Sequence, residues 1–290
     1  MPDLVYFYKT IGHFNNNSEQ MKLTKIAIIG GGNLGSSIGK GILSIDNFSD
    51  KNLVICEKRK QRIKFLEEAG FNTIDGDIKL AMQDAKVIIV SVKPQQFTKL
   101  LEEIKPNLNK DQIVISTVTG VTLKEIEKNL GRHAIVRIMP NTAIEIRESM
   151  TCMCTKNTTQ KQEEELLDLF NQLGEAMMVQ EELLDAVTVL GACGIAFALR
   201  FIRAATQGGI EIGFSAEISQ FIVAQTVKGA ACLLVENNSH PESEIDKVTT
   251  PQGITISGLN EMEHQGFSSS VIKGLLTSYN KLAIIQSDKK

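Results

Sequence analysis

Residues Ile26-Ala27-Ile28-Ile29-Gly30-Gly31-Gly32-Asn33-Leu34-Gly35-Ser36-Ser37-Ile38 decide the fold. An apolar run of strand length ends in G-x-G-x-x-G, and a helical pattern follows at once. Gly30 makes a tight turn. Gly32 lets the backbone approach a pyrophosphate, and Gly35 lets the new helix pack close to the strand. The first helical N–H groups, at Asn33 and Leu34 onward, then face an anion together with the positive end of the helix dipole. The motif alone is weak, but a strand before it and a helix after it make it a dinucleotide site.

From Lys25 to about Val179 short apolar runs alternate with helical stretches: Ile26–Ile29, Leu53–Ile55, Val87–Val92, Ile113–Ser116 and Ala134–Met139. Near-continuous apolar runs suit parallel strands covered on both faces. Two further strands are expected at Met150–Cys154 and Ala176–Val179, with a helix over Gln160–Leu173 between them. The expected fold is α/β, a doubly wound, mostly parallel sheet of Rossmann type. After Val179 the sequence predicts helices only: Leu183–Ile212, then Ile218–Val235 started by Ser215, then a loop around His240-Pro241 and a last helical pair ending near Ile285. The expected division is residues 1–20 a disordered extension, 21–180 the dinucleotide domain, 181–286 an all-helical domain and 287–290 a frayed tail. The stretch Val187–Ala205 is apolar on most of its circumference. A helix of that kind must be buried, and a small domain offers it little cover, so a partner chain is expected.

With 42% apolar and 22% charged residues the chain has the composition of a globular protein, and 290 residues are comfortable for two domains. The net charge of −3 and scattered basic residues argue against nucleic acid. No unbroken apolar run is long enough to span a bilayer, so no membrane partner is expected. The five cysteines form no C-x-x-C pair; reduced thiols in the cytoplasm fit them better than disulfides, and no metal site is expected.

In an open α/β sheet the ligand lies outside the carboxyl ends of the strands. Those ends deliver Gly30–Gly35, Ser91-Val92-Lys93-Pro94, Val118-Thr119-Gly120 and Met139-Pro140-Asn141-Thr142. The second strand exits through Glu57-Lys58-Arg59. Glu57 stands where a carboxylate would take the ribose hydroxyls of NAD, whereas Lys58 and Arg59 could pair with the 2′-phosphate of NADP. Both readings stay open, with a slight lean to NADPH over NADH.

At these residues the chain resembles the pyrroline-5-carboxylate reductase family, from about Lys22 to Ile285. The resemblance is carried by Ile28 to Gly35, Val92-Lys93-Pro94-Gln95, Val136 to Thr142, Asp185-Ala186-Val187-Thr188, Ala224-Gln225-Thr226 and His240-Pro241. Val248-Thr249-Thr250-Pro251-Gln252-Gly253-Ile254-Thr255-Ile256 is its most specific segment. It implies NAD(P)H-dependent reduction of the C=N bond of 1-pyrroline-5-carboxylate to L-proline. It also implies a helical dimerisation domain, giving a homodimer at least or a ring of dimers. By that likeness the loop with Thr250, Gln252, Gly253 and Ile254 holds the substrate carboxylate, Thr255 lies by the ring nitrogen, and Glu181 lines the site. Read from the residues alone, Thr255 could instead cap a helix after Gly253. Two departures stand out. Gln252 replaces a glycine, which costs strain if that position has positive φ. Gly191–Phe197 replaces a hydroxyl, a proline and a phenol. They motivate two alternatives: a reductase of another cyclic imine, or a nucleotide-binding paralogue without turnover.

Reducing an imine that enters protonated builds no oxyanion, so a dedicated strong acid is less necessary than in carbonyl reduction and positioning should dominate. The scatter of His13, His133, His240 and His264 agrees with that.

Overall fold

A computed structural model describes residues 25–287 except Asn47. The expected extension over residues 1–20 and most of the expected tail lie outside the described residues.

Eight strands form one sheet: β1 (Ile26–Ile29), β2 (Leu53–Glu57), β3 (Thr73–Asp75), β4 (Val87–Val90), β5 (Ile113–Ser116), β6 (Ala134–Met139), β7 (Ser149–Lys156) and β8 (Gly174–Met178). Their order is β3-β2-β1-β4-β5-β6-β7-β8. All neighbours are parallel except β6 and β7, which run antiparallel with Arg137 opposite Cys154. The chain winds outward from β1 in one direction, then restarts at β4 in the other. The reversal between β1 and β4 is the switch point at which such sheets open a crevice.

The apolar runs become strands buried on both faces. Ile26 and Ile28 join one core layer with Ile38, Ile42 and Phe170, while Ala27 and Ile29 join the opposite layer with Phe97, Leu101 and Ile126. Helices α1 (Asn33–Leu43), α2 (Lys60–Glu68), α3 (Ile78–Met82), α4 (Pro94–Ile104), α5 (Leu123–Leu130) and α6 (Gln160–Asn171) cover the two faces. Capping boxes, Thr122 with Glu125 and Thr159 with Gln162, start α5 and α6.

Beyond β8 every regular element is helical: α7 (Leu184–Val187), a π-helical turn at Thr188–Cys193, α8 (Gly194–Glu211), α9 (Ala216–Asn237), α10 (Pro241–Val248), α11 (Ile254–His264) and α12 (Phe267–Ser287). Helices α8 and α9 form a hairpin tied by Ser219, whose hydroxyl donates to the Thr206 carbonyl at 2.8 Å. The loop expected at His240-Pro241 is the start of α10. Proline suits the first helical position, whose N–H has no partner anyway, and the His240 ring accepts from Glu242 N.

The helical half leaves its apolar residues uncovered, with Leu199 57%, Phe221 75% and Ile254 92% exposed. Two of its helical stretches, Glu181–Glu211 and Ala216–Asn237, are long and apolar enough to cross a membrane, with mean hydropathy 1.8 and 1.5. They qualify by length and average composition only, and neither is an unbroken apolar run. Arg200 and Arg203 break the first stretch, and Glu217, Gln225 and Lys228 the second.

Candidate active site

A cleft of about 900 Å³ opens at the switch point, outside the carboxyl ends of β1, β2, β4 and β5. Gly30, Gly32, Asn33 and Leu34 form its floor. Glu57, Lys58 and Arg59 line the β2 side, and Ser91, Val92, Lys93, Pro94, Val118 and Thr119 the other. Gly35, Gly120 and Asn141, also expected there, do not line it.

The glycine loop has the geometry that its sequence requires. Gly30 sits at φ +107, and a Cβ there would meet the Ser91 backbone. A Cβ on Gly35 would run into the carbonyl oxygen of Gly30, so this glycine permits helix and strand to touch. A Cβ on Gly32 would meet nothing within 4 Å, so it points into open cleft. Gly32 is also the N-cap of α1, and no side chain caps the helix. Its first N–H groups are thus left for an anion, which fits the pyrophosphate of a dinucleotide.

Glu57 is 7% exposed and fully engaged. Its carboxylate accepts from Gly31 N (3.2 Å), Lys58 N (2.8 Å) and Arg59 N (3.0 Å), and from Arg59 Nε (3.1 Å) and Nη2 (2.8 Å). Burial pushes its pKa up, but the Arg59 side chain and the two backbone N–H groups outweigh that and bring it down to about 2. Glu57 therefore braces the glycine loop and holds Arg59. Lys58 reaches across to Glu103 at 3.1 Å.

Arg62, on α2, was not singled out from the sequence. It donates to the carbonyls of Gly31 and Gly32 and to Ser36 Oγ (2.8 Å), and lies over the Phe65 ring at 4.5 Å. Its only sequence signal is its place in the first turn after β2, beside the glycine loop. Lys99 and Glu103 of α4 also line the cleft and were not expected.

The helical-half candidates lie elsewhere. Among the described residues none beyond Thr119 lines the cleft. Glu181 accepts from Leu123 N (2.6 Å) and Arg137 Nη1 (2.7 Å). Thr250 and Gly253 close a turn, Gly253 N donating to Thr250 O at 2.9 Å. Pro251 takes the second position of that turn and Gln252 the third, at φ +61, where glycine is favoured. The N-cap of α11 is Gly253, without a side-chain cap, so Thr255 does not cap it. Thr250, Gln252, Ile254 and Thr255 are all exposed.

Asn141 donates to Gly191 O (3.2 Å) and caps the turn at Ala143, 3.0 Å from its N–H. All five cysteines are free. Among the described residues no group of His, Cys, Asp and Glu could hold a metal ion.

Comparison with known proteins places this geometry. The family "Pyrroline-5-carboxylate reductase dimerisation" matches residues 181–283, and "NADP oxidoreductase coenzyme F420-dependent" matches residues 25–120. Pyrroline-5-carboxylate reductases 1 and 2 of Dictyostelium discoideum are each 44% identical to the chain, over 91% and 88% of it. The chain spans 50% of the length of the first and 91% of the second. Among solved structures, the Plasmodium falciparum pyrroline carboxylate reductase with NADP bound is 25% identical, with a TM-score of 0.81 over 92% of this chain and 100% of that one. The Streptococcus pyogenes 1-pyrroline-5-carboxylate reductase is 27% identical, with a TM-score of 0.78 over 91% and 98%. On sequence, fold and dimerisation region together, the chain belongs to the pyrroline-5-carboxylate reductase family.

Proposed function

We propose that this protein reduces the C=N bond of 1-pyrroline-5-carboxylate to L-proline with NADPH. The observation that carries the reading is the uncapped glycine loop, open at Gly32, in a chain 44% identical to reductases of that name. When bound, the reduced nicotinamide supplies a hydride for the imine carbon.

The chain's own residues bind and orient. Gly30, Gly32, Asn33, Leu34 and Gly35 hold the pyrophosphate through backbone N–H groups and close packing. Lys58 and Arg59 face the 2′-phosphate. Glu57 is committed to five donors, which favours these cations over Glu57 as the ribose partner. Ser91, Val92, Lys93, Pro94, Val118 and Thr119 shape the nicotinamide side. The Thr255 hydroxyl orients the ring nitrogen, and the backbone around Thr250, Gln252, Gly253 and Ile254 takes the carboxylate. A substrate that enters protonated brings its own proton on nitrogen, so no side chain must deliver one during the transfer. Glu181 acts at one remove, by fixing Arg137 and the start of α5.

The Thr250–Thr255 loop is exposed and does not line the cleft of its own chain. We propose that a second copy covers the helical half and completes the site, giving a homodimer or a ring of dimers. Residues 21–180 and 181–286 are its two domains, and the free cysteines suit the cytoplasm.

The test is NADPH oxidation by the purified protein with 1-pyrroline-5-carboxylate and with other cyclic imines. Turnover with the first supports the reading. Turnover only with another imine transfers the activity to that substrate, and NADPH binding without any turnover overturns it. Light scattering at micromolar concentration should give a dimer or larger; a folded monomer refutes the assembly.

A further inference from the structure

Two polar ties run from β6 to the segment that opens the helical half. Arg137, buried in the middle of the strand, donates to Glu181 at 2.7 Å. Past the end of the strand Asn141, 8% exposed, donates its side-chain N–H to Gly191 O at 3.2 Å. The remaining polar groups of Asn141 are also committed to protein. Its backbone N–H goes to Ser149 Oγ (3.1 Å), its side-chain oxygen accepts from Ala143 N (3.0 Å), and its carbonyl accepts from Ile144 N (3.2 Å). Every polar atom of Asn141 thus has a protein partner, and of its side-chain amide only the second N–H is left over.

The two ties bracket the passage from sheet to helices. Gly191 lies in the π-helical turn Thr188–Cys193. Such a turn holds one residue more than an α-helix allows, and it persists where outside contacts sustain it. Thr188 Oγ1 takes the Leu184 carbonyl at 2.7 Å and Asn141 takes that of Gly191. Losing the extra residue of register would turn the helix beyond it by about 100° relative to the sheet. That would carry away Ile195, which shares a second cleft of about 530 Å³ with Asn33 and Thr142.

We infer that Asn141 and the Arg137–Glu181 pair form a two-point clamp that sets the register of α8 on the sheet, and that Asn141 is a positioning residue for the reaction. This rests on the reductase reading. Asn141→Asp keeps the size of the side chain and the acceptor for Ala143 N, and removes the donor to Gly191. The measurements are NADPH affinity by fluorescence titration, kcat and KM for the imine, and amide hydrogen exchange of residues 188–197 and 30–36. The expected result is an NADPH Kd within twofold of wild type, kcat at least tenfold lower, and exchange at 188–197 at least tenfold faster with 30–36 unchanged. Glu181→Gln should move kcat and the 188–197 exchange the same way. A tenfold weaker NADPH Kd with unchanged exchange at 188–197 makes Asn141 a cofactor ligand and overturns the clamp. An unchanged kcat overturns it too. Should Asn141→Asp not fold, Asn141→Ser, whose hydroxyl is too short to reach Gly191, takes its place with the same outcomes. A wild-type protein that reduces no imine defeats the reductase reading, and the exchange measurement still decides the clamp.

Discussion

Glu57→Gln isolates the charge that organises the cofactor edge. The carboxylate takes five hydrogen bonds at 2.8–3.2 Å, three of them from Arg59. Against burial, these bring its pKa from 4.5 down to about 2, which sets a ceiling of roughly 3 kcal/mol of folding stability at neutral pH. The Arg59 side chain is 67% exposed, and screening by water lowers the expectation to about 2 kcal/mol. Glutamine keeps the size and one acceptor but turns an amide donor toward N–H groups. The variant should melt about 4–8 °C below wild type at pH 7. The carboxylate ionises more readily folded than unfolded. Its contribution is therefore whole above about pH 4.5 and is lost as pH falls toward 2. Thermal denaturation followed by circular dichroism from pH 7 to pH 3.5 reads both effects. The gap between the two proteins should shrink by about a third or more across that range. A gap that stays constant with pH, or no gap at pH 7, refutes the role given to the charge.

Gly32→Asp places a carboxylate in open cleft beside the expected pyrophosphate, so NADPH should bind at least about a hundredfold more weakly by titration while the melting temperature barely moves. Gln252→Gly relieves a left-handed residue at φ +61; a relief of about 1–2 kcal/mol less about 0.4–1 for glycine's freedom when unfolded should raise the melting temperature by about 1–3 °C. Thr255→Val removes a hydroxyl with little change of shape and should lower kcat/KM about ten- to a hundredfold with NADPH affinity unchanged, whereas Thr249→Val should be milder.

The sheet and its glycine loop were legible because both signals are local. Isoleucine and valine on both faces of β1 and β4 mark covered strands, and the spacing of Gly30, Gly32 and Gly35 marks the turn. β3 was missing from the apolar runs because its three residues, Thr73–Asp75, sit half exposed at the sheet edge. α10 was hidden because a proline punctuates loops and helix starts alike. Arg62 and Asn141 depend on partners about 30 and 50 residues away, which no local pattern reveals. The inward turn of Glu57 likewise follows from the loop folded against it. Spacing placed Glu57 at the cofactor edge but could not say that Arg59 and Gly31 occupy its oxygens.

The uneven covering of the two halves gives the chain two kinetic orders. The sheet is covered by helices from its own sequence, so its folding is unimolecular and indifferent to protein concentration. In the proposed dimer, α8 and α9 wait for a second chain, and docking slows as the protein is diluted. Recovery of activity from denaturant should thus lag behind recovery of the sheet, and the lag should lengthen on dilution. Between the two events stands a chain with a finished sheet and helices still presenting Leu199 and Phe221 to water. That species is the one prone to aggregate, and its lifetime is set by how soon another copy is made nearby.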